Sequence, residues 1–183
     1  MLYSFNIKLE NQDYVDFNLH TLKVYDTFKK QVLSLRLLFA AVLLILSVME
    51  IFKTEDLIAN IIFSVIIFVF LALGELLIPK FLTSATRSQI NSFIKKGKAP
   101  FSRSSQTDFY DDYFTEITES SKTEVKYSSI EKISFAEESK TIYLHFNKAA
   151  ALIIPHTVFS TPEEMVEFLK FIKEKCSNAE CFF

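Results

Sequence analysis

Three histidines, two cysteines and a short acidic cluster are the groups in this chain whose types could support chemistry. His20, His145 and His156 lie far apart, and no HExxH or H-x-x-x-H pairing sets two imidazoles on one helix face for a metal. Asp108, Asp111 and Asp112 surround Phe109 and Tyr110 and could approach a hard cation. A dedicated calcium site takes about six or more oxygen ligands, so three carboxylates read as a solvated turn. Cys176 and Cys181 form a C-x4-C pattern with no neighbouring His or further Cys, which is a poor zinc signature. They are expected to be ordinary reduced thiols in a frayed tail. With Gly74 and Gly97 the only glycines, a Gly-rich phosphate cradle is excluded, and no G-x-S-x-G elbow occurs. His145 alternates with Ile142 and Leu144 on a strand pattern and is expected to face solvent or a polar rim. No catalytic residue, cofactor or metal site is expected, and the chain reads as non-enzymatic.

Glu50 and Glu75 are a different kind of candidate, because they sit in apolar surroundings. Residues 37–52 and 57–78 are two apolar stretches four residues apart, the second interrupted only by Asn60, Ser64 and Glu75. About 20 apolar residues at about 1.5 Å rise cross a hydrocarbon core of about 30 Å. The first stretch reaches that length if counted from Leu33, since Arg36 can extend its guanidinium to the interface. The pattern predicts a transmembrane helical hairpin, residues 33–52 and 57–78. Each glutamate lies near a span end, Glu50 by the connecting turn and Glu75 by the opposite end, so a paired relay is not expected. An oligomer could gather several Glu75 carboxylates, which keeps a small transporter, channel or accessory subunit as the alternative function. Ala40, Ala41, Ala59, Ala72 and Gly74 permit close helix contacts without a GxxxG signature.

Charge sets the expected orientation. The net charge of −2 hides an asymmetry: residues 80–107 carry six basic side chains and no acid, whereas residues 108–183 carry 14 acids against 8 lysines. Lys23, Lys29, Lys30 and Arg36 precede the first span, and the turn Lys53-Thr54-Glu55-Asp56 is net acidic. The positive-inside rule then places both termini in the cytoplasm of a multi-pass plasma-membrane protein. A cleaved signal peptide is not expected, because the first apolar run begins more than 30 residues in with no small-x-small site after it. Nucleic-acid binding is disfavoured by the acidic C-terminal part.

The remaining segments must position these groups. Residues 1–32 read as a strand, with Tyr3, Phe5, Ile7 and Leu9 on one face, then a helix capped by Asn11 or Asp13. That helix is expected to run through Tyr25 and Phe28 towards the first span. A lone strand leaves its backbone groups unpaired, so residues 3–9 are expected to pair with the C-terminal sheet. Residues 80–100 form a basic juxtamembrane helix or linker ended by Gly97 and Pro100. It either lies on anionic lipid through Lys80, Arg87, Lys95, Lys96 and Lys98 or packs on the soluble domain. Residues 101–183 alternate with period two through 113–118, 122–127, 133–135, 141–146 and 149–154. A T-x-x-E box at Thr161–Glu164 with Pro162 at the first helical position then opens an amphipathic helix bearing Met165, Leu169 and Ile172. The expected class is an α+β membrane protein, a transmembrane hairpin plus a small antiparallel β domain of pleckstrin-homology-like (PH-like) form closed by a helix.

This layout resembles the YcxB-like family of bacterial membrane proteins. Tyr127-Ser128-Ser129-Ile130-Glu131-Lys132-Ile133 is similar to the family's aromatic-polar-x-Ile-x-x-Ile segment. Ile153-Ile154-Pro155-His156-Thr157-Val158-Phe159 is similar to its Ile-Pro-x-x-x-Phe segment. Tyr127 stands where the family often has Trp, and residues 102–108 are unusually polar. The resemblance implies a membrane protein with a cytoplasmic PH-like domain and no established activity. The expected role is presentation of that domain to a protein or membrane partner, with the lipid bilayer as one partner and a homo-oligomer as a further form.

Overall fold

The computed structural model describes residues 1–53, 56–97 and 102–183, so Lys98 and Pro100 lie outside the described residues. It divides into two compact units: Met1–Tyr25 with Asn91–Phe183, and Asp26–Ile90. In order, the elements are β1 (Tyr3–Lys8), α1 (Asn11–Val24), α2 (Thr27–Lys53), α3 (Leu57–Lys95) and β2 (Ser104–Phe109). There follow β3 (Tyr113–Thr118), β4 (Lys122–Lys126), β5 (Lys132–Ala136), β6 (Thr141–His145), β7 (Ala151–Pro155), α4 (Pro162–Lys175) and β8 (Glu180–Phe182).

The first unit is built from two four-stranded sheets, ordered β1-β2-β3-β4 and β7-β6-β5-β8. All pairings are antiparallel except β5 with β8. As expected, β1 pairs with the C-terminal sheet: Tyr3 lies opposite Phe109, Phe5 opposite Thr107 and Ile7 opposite Ser105. That register accounts for the polar stretch before Phe109. Its strand, β2, turns Ser105 and Thr107 inward, where small hydroxyl side chains lie beside the large apolar ones of β1. The core joins Phe5, Ile7, Phe109 and Phe114 of one sheet to Ile133, Ile142, Leu144 and Ile154 of the other, with Phe168 and Ile172 from α4. Phe168 is the centre of the helix's buried face, with its ring 5.0 Å from those of both Phe5 and Phe109.

α4 starts where its capping signal lies. The Glu164 amide donates to Thr161 Oγ1 at 3.2 Å, and the Glu164 carboxylate accepts from the Ser160 amide at 2.7 Å. Its C-terminal side corrects the expected frayed tail. Cys176 is buried in the core, and β8 continues the second sheet. Burial, then the neighbouring Cys181, pushes the Cys176 thiol up to about 12. α1 is preceded by Glu10, whose amide donates to Asp13 Oδ2 at 2.7 Å, so Asp13 supports the first turn from inside it. α1 ends at Val24, short of Phe28, because Asp26 takes a left-handed φ of 52° that no helix continues through.

The second unit consists of α2 and most of α3. α2 buries a seam through Val32 and Leu43, with Arg36, Phe39 and Ser47 half-buried between and beyond them. Its spacing of three and four residues is that of a helix-packing stripe. α3 is one helix of 39 residues that passes through Pro79 without ending. Gly97 closes it as expected, with φ 67° and its amide bonded to Ile94 O at 3.0 Å.

Candidate functional site

His145 is the clearest correction to the sequence reading. It is fully buried, as are Ser134 and Tyr143, because α1 covers the second face of the β7-β6-β5 sheet. One face of β6 places Ile142 and Leu144 in the main core, and the other places Tyr143 and His145 against α1. His145 Nε2 and Ser134 Oγ lie 2.9 Å apart, sealed from solvent. The Phe17 ring stacks on His145 at 5.9 Å, Tyr25 meets it edge-on at 5.7 Å, and His20 stacks on Tyr143 at 5.0 Å. Burial first, then the His20 and Lys132 charges, lowers His145 to about 4. Burial also lowers His20, helped by Lys23 and opposed by Glu138. Tyr143 is raised to about 12 by burial, against the Ser139 and Thr141 hydroxyls. A serine and an imidazole in contact are the elements of a nucleophilic pair. Both side chains are at 0 % exposure, and their contact links β5 to β6 within the sheet.

Other singled-out residues are dispersed. His156 is exposed on a short turn after β7. Asp108 accepts from Ser4 Oγ at 2.6 Å and from Gln106, Asp111 pairs with Lys175 at 3.1 Å, and Asp112 is exposed. Among the described residues, no group of three or more His, Cys, Asp or Glu side chains could hold a metal. Lys80, Arg87 and Lys95 are exposed on α3, and Lys96 is exposed immediately after it. Arg87 follows Lys80 by seven residues, so the two share one helix face.

The hairpin brings together a pair that sequence reasoning did not connect. Instead of reaching away to an interface, Arg36 of α2 bonds Glu75 of α3 through Nη2 and Oε2 at 2.8 Å. Glu50 lies in the last turn of α2, whereas Glu75 lies 18 residues into α3, about 27 Å along its axis at the helical rise. The one available signal was that an isolated Arg and an isolated Glu stand in opposite spans, each needing a neutralising partner.

Both helices are long and apolar enough to cross a membrane, and only 11 % and 6 % of their most apolar windows are buried. A soluble core helix would be mostly buried. The molecule is therefore an α+β protein whose sheet unit is interrupted, between β1 and β2, by a hairpin with an exposed apolar surface. Residues 109–172 match the family model described as YcxB-like protein, so this part of the chain is YcxB-like, as its motifs implied. The match runs from the last residue of β2 into α4, leaving β1, α1 and the hairpin outside it. No curated protein and no solved structure matches the chain.

Proposed function

We propose that the protein is an integral membrane protein whose hairpin anchors a PH-like domain and presents it, without catalysis, to a protein or membrane partner. The observation that carries this reading is the exposed apolar surface of α2 and α3, including Leu37, Leu44, Ile51, Leu57, Val65 and Phe68. Water tolerates no patch of that size on a monomer, whereas lipid tails solvate it. Connectivity supports an even number of crossings. The chain leaves the sheet unit after Tyr25 and rejoins it at Asn91, and β1 and β2 on either side of the hairpin are hydrogen-bonded neighbours. Both termini then share one compartment, and the basic flanks favour the cytoplasm. Two sheets, antiparallel except for the β5–β8 pair, with a C-terminal helix at the core support the PH-like assignment. The sealed Ser134–His145 contact supports a structural rather than a catalytic role for these side chains. The Arg36–Glu75 pair gives Glu75 a partner within its own chain, which favours the anchoring reading over transport.

The test is cysteine accessibility in intact cells. A Cys introduced at Asp56 should react with an impermeant maleimide from outside, and exposed Cys181 only after permeabilisation. Release of the protein by alkaline carbonate would refute the membrane reading, and external labelling of Cys181 would refute the cytoplasmic orientation of the termini. Crosslinking in intact membranes then tests presentation, and recovery of self-contacts and lipid alone would count against a protein partner.

A further inference from the structure

We propose that Arg36 caps the break that Pro79 makes in α3 at the end of the second apolar span, so that Arg36, Glu75 and Pro79 form one joint. Each of the three residues is unfavourable in a membrane helix when alone, and here Arg36 Nη2 meets both acceptors of Glu75. Proline has no N–H, so Pro79 cannot donate to the carbonyl four residues before it, that of Glu75. An unmet carbonyl in hydrocarbon is costly, and kinks follow where the helical ladder is broken. That carbonyl is the second acceptor of Arg36: Nη2 lies 3.4 Å from Glu75 O and 2.8 Å from Glu75 Oε2. A guanidinium Nη carries two hydrogens, so one nitrogen serves both acceptors at once. Arg36 therefore stands in for the missing Pro79 amide while the Glu75 carboxylate neutralises its charge.

Two neighbouring contacts hold the joint. Thr83 Oγ1 donates to Pro79 O at 3.0 Å, on the far side of the break. Beside Glu75, Gly74 receives the Phe39 ring, and a Cβ at Gly74 would lie 2.6 Å from Phe39 Cε1. Phe39 is one turn from Arg36 on α2, so close packing and the ionic contact fall at the same level of the hairpin. The joint explains how α3 continues through Pro79 to Lys95 as a single helix. It also fixes the register of two helices whose other facing residues are mostly interchangeable apolar groups.

The energetic weight of this joint rests on the membrane reading, and the experiment separates the two. Spin labels at Leu73 and Ser88, both exposed on α3, bracket Pro79 in the full chain with Cys176 and Cys181 replaced by alanine. Failure of this otherwise unsubstituted chain to enter lipid nanodiscs would refute the membrane reading; the distance distribution in nanodiscs reports the joint. The parent should give one narrow distribution, and Arg36→Leu should at least double its width. Glu75→Gln, which keeps the backbone acceptor, should broaden it less. Pro79→Ala restores the missing amide, so Arg36→Leu with Pro79→Ala should return to the narrow distribution. If Arg36→Leu does not insert, Arg36→Lys takes its place, since one ammonium reaches the two acceptors less well, and Pro79→Ala should again restore the width. An unchanged distribution in the Arg36 variant, or broadening that Pro79→Ala fails to reverse, would overturn the proposal.

Discussion

The sheet unit and the hairpin are both rich in large apolar side chains, but they use them in opposite ways. Leu144 is 0 % exposed in the sheet core, whereas Leu44 on α2 is 67 % exposed. In the first unit, apolar groups converge and polar ones are tolerated when small or paired, as with Thr107 and the Ser134–His145 contact. In the second, apolar groups point outward, and the ionic pair Arg36–Glu75 joins the two helices. The difference shows that hydrophobicity alone does not locate a core. What matters is what each apolar side chain meets: other apolar groups in the sheet unit, and no protein surface on the outer faces of the hairpin.

The strongest way to break this comparison is to remove β1. Deleting residues 1–10 takes away the edge strand and the buried Phe5 and Ile7. The detergent-solubilised protein should lose protease resistance across residues 104–183 while the hairpin stays intact; unchanged resistance would show that the C-terminal strands fold without β1. A matched pair of substitutions sharpens the contrast next. Leu144→Ala should cost about 2–5 kcal/mol in denaturant unfolding, because a buried cavity remains, whereas Leu44→Ala should leave that transition unmoved.

The pH response of the first unit is the next largest effect. His145 titrates at about 4 when folded, below its unfolded value of 6.5, so the unfolded chain takes up its proton first as pH falls. The stability from neutral His145 is full above about pH 6.5 and drains away down to about 4, with roughly 2 kcal/mol gone by pH 5. Unfolding free energies from denaturant titrations at pH 7 and pH 5 should differ by about this amount, and His145→Gln should remove that part of the difference. A smaller effect concerns the exposed cations. Replacing any one of Lys80, Arg87, Lys95 or Lys96 by Gln should weaken protection of α3 by anionic nanodiscs by roughly 1 kcal/mol and leave neutral nanodiscs unaffected. The smallest belongs to the exposed Lys23–Glu138 pair at 3.6 Å, where Glu138→Ala should change stability by less than about 0.5 kcal/mol.

Legibility followed the range of the interactions. The capping box of α4 could be read because Thr161, Pro162 and Glu164 act within one turn. β2 could not be delimited, because Ser105 and Thr107 look like loop residues until β1 is set beside them. His145 was misread for a related reason. Alternation along β6 shows that it faces away from Leu144, but only the packing of α1 decides that the second face is covered as well. Tyr143 beside it and the apolar run Leu152-Ile153-Ile154 were the available signs of a sheet buried on both sides.

The sequence by itself determined the apolar hairpin, the alternating strands, the closing helix and the charge asymmetry, since each is written in residues a few positions apart. That β1 needs a partner in the C-terminal sheet was also legible; tertiary structure alone decided that this partner is the polar strand β2, that His145 is sealed beneath α1, and that one arginine serves both the carboxylate and the carbonyl of Glu75. Local periodicity records which way a side chain points. What it then meets depends on distant segments, whose approach no short window of sequence contains.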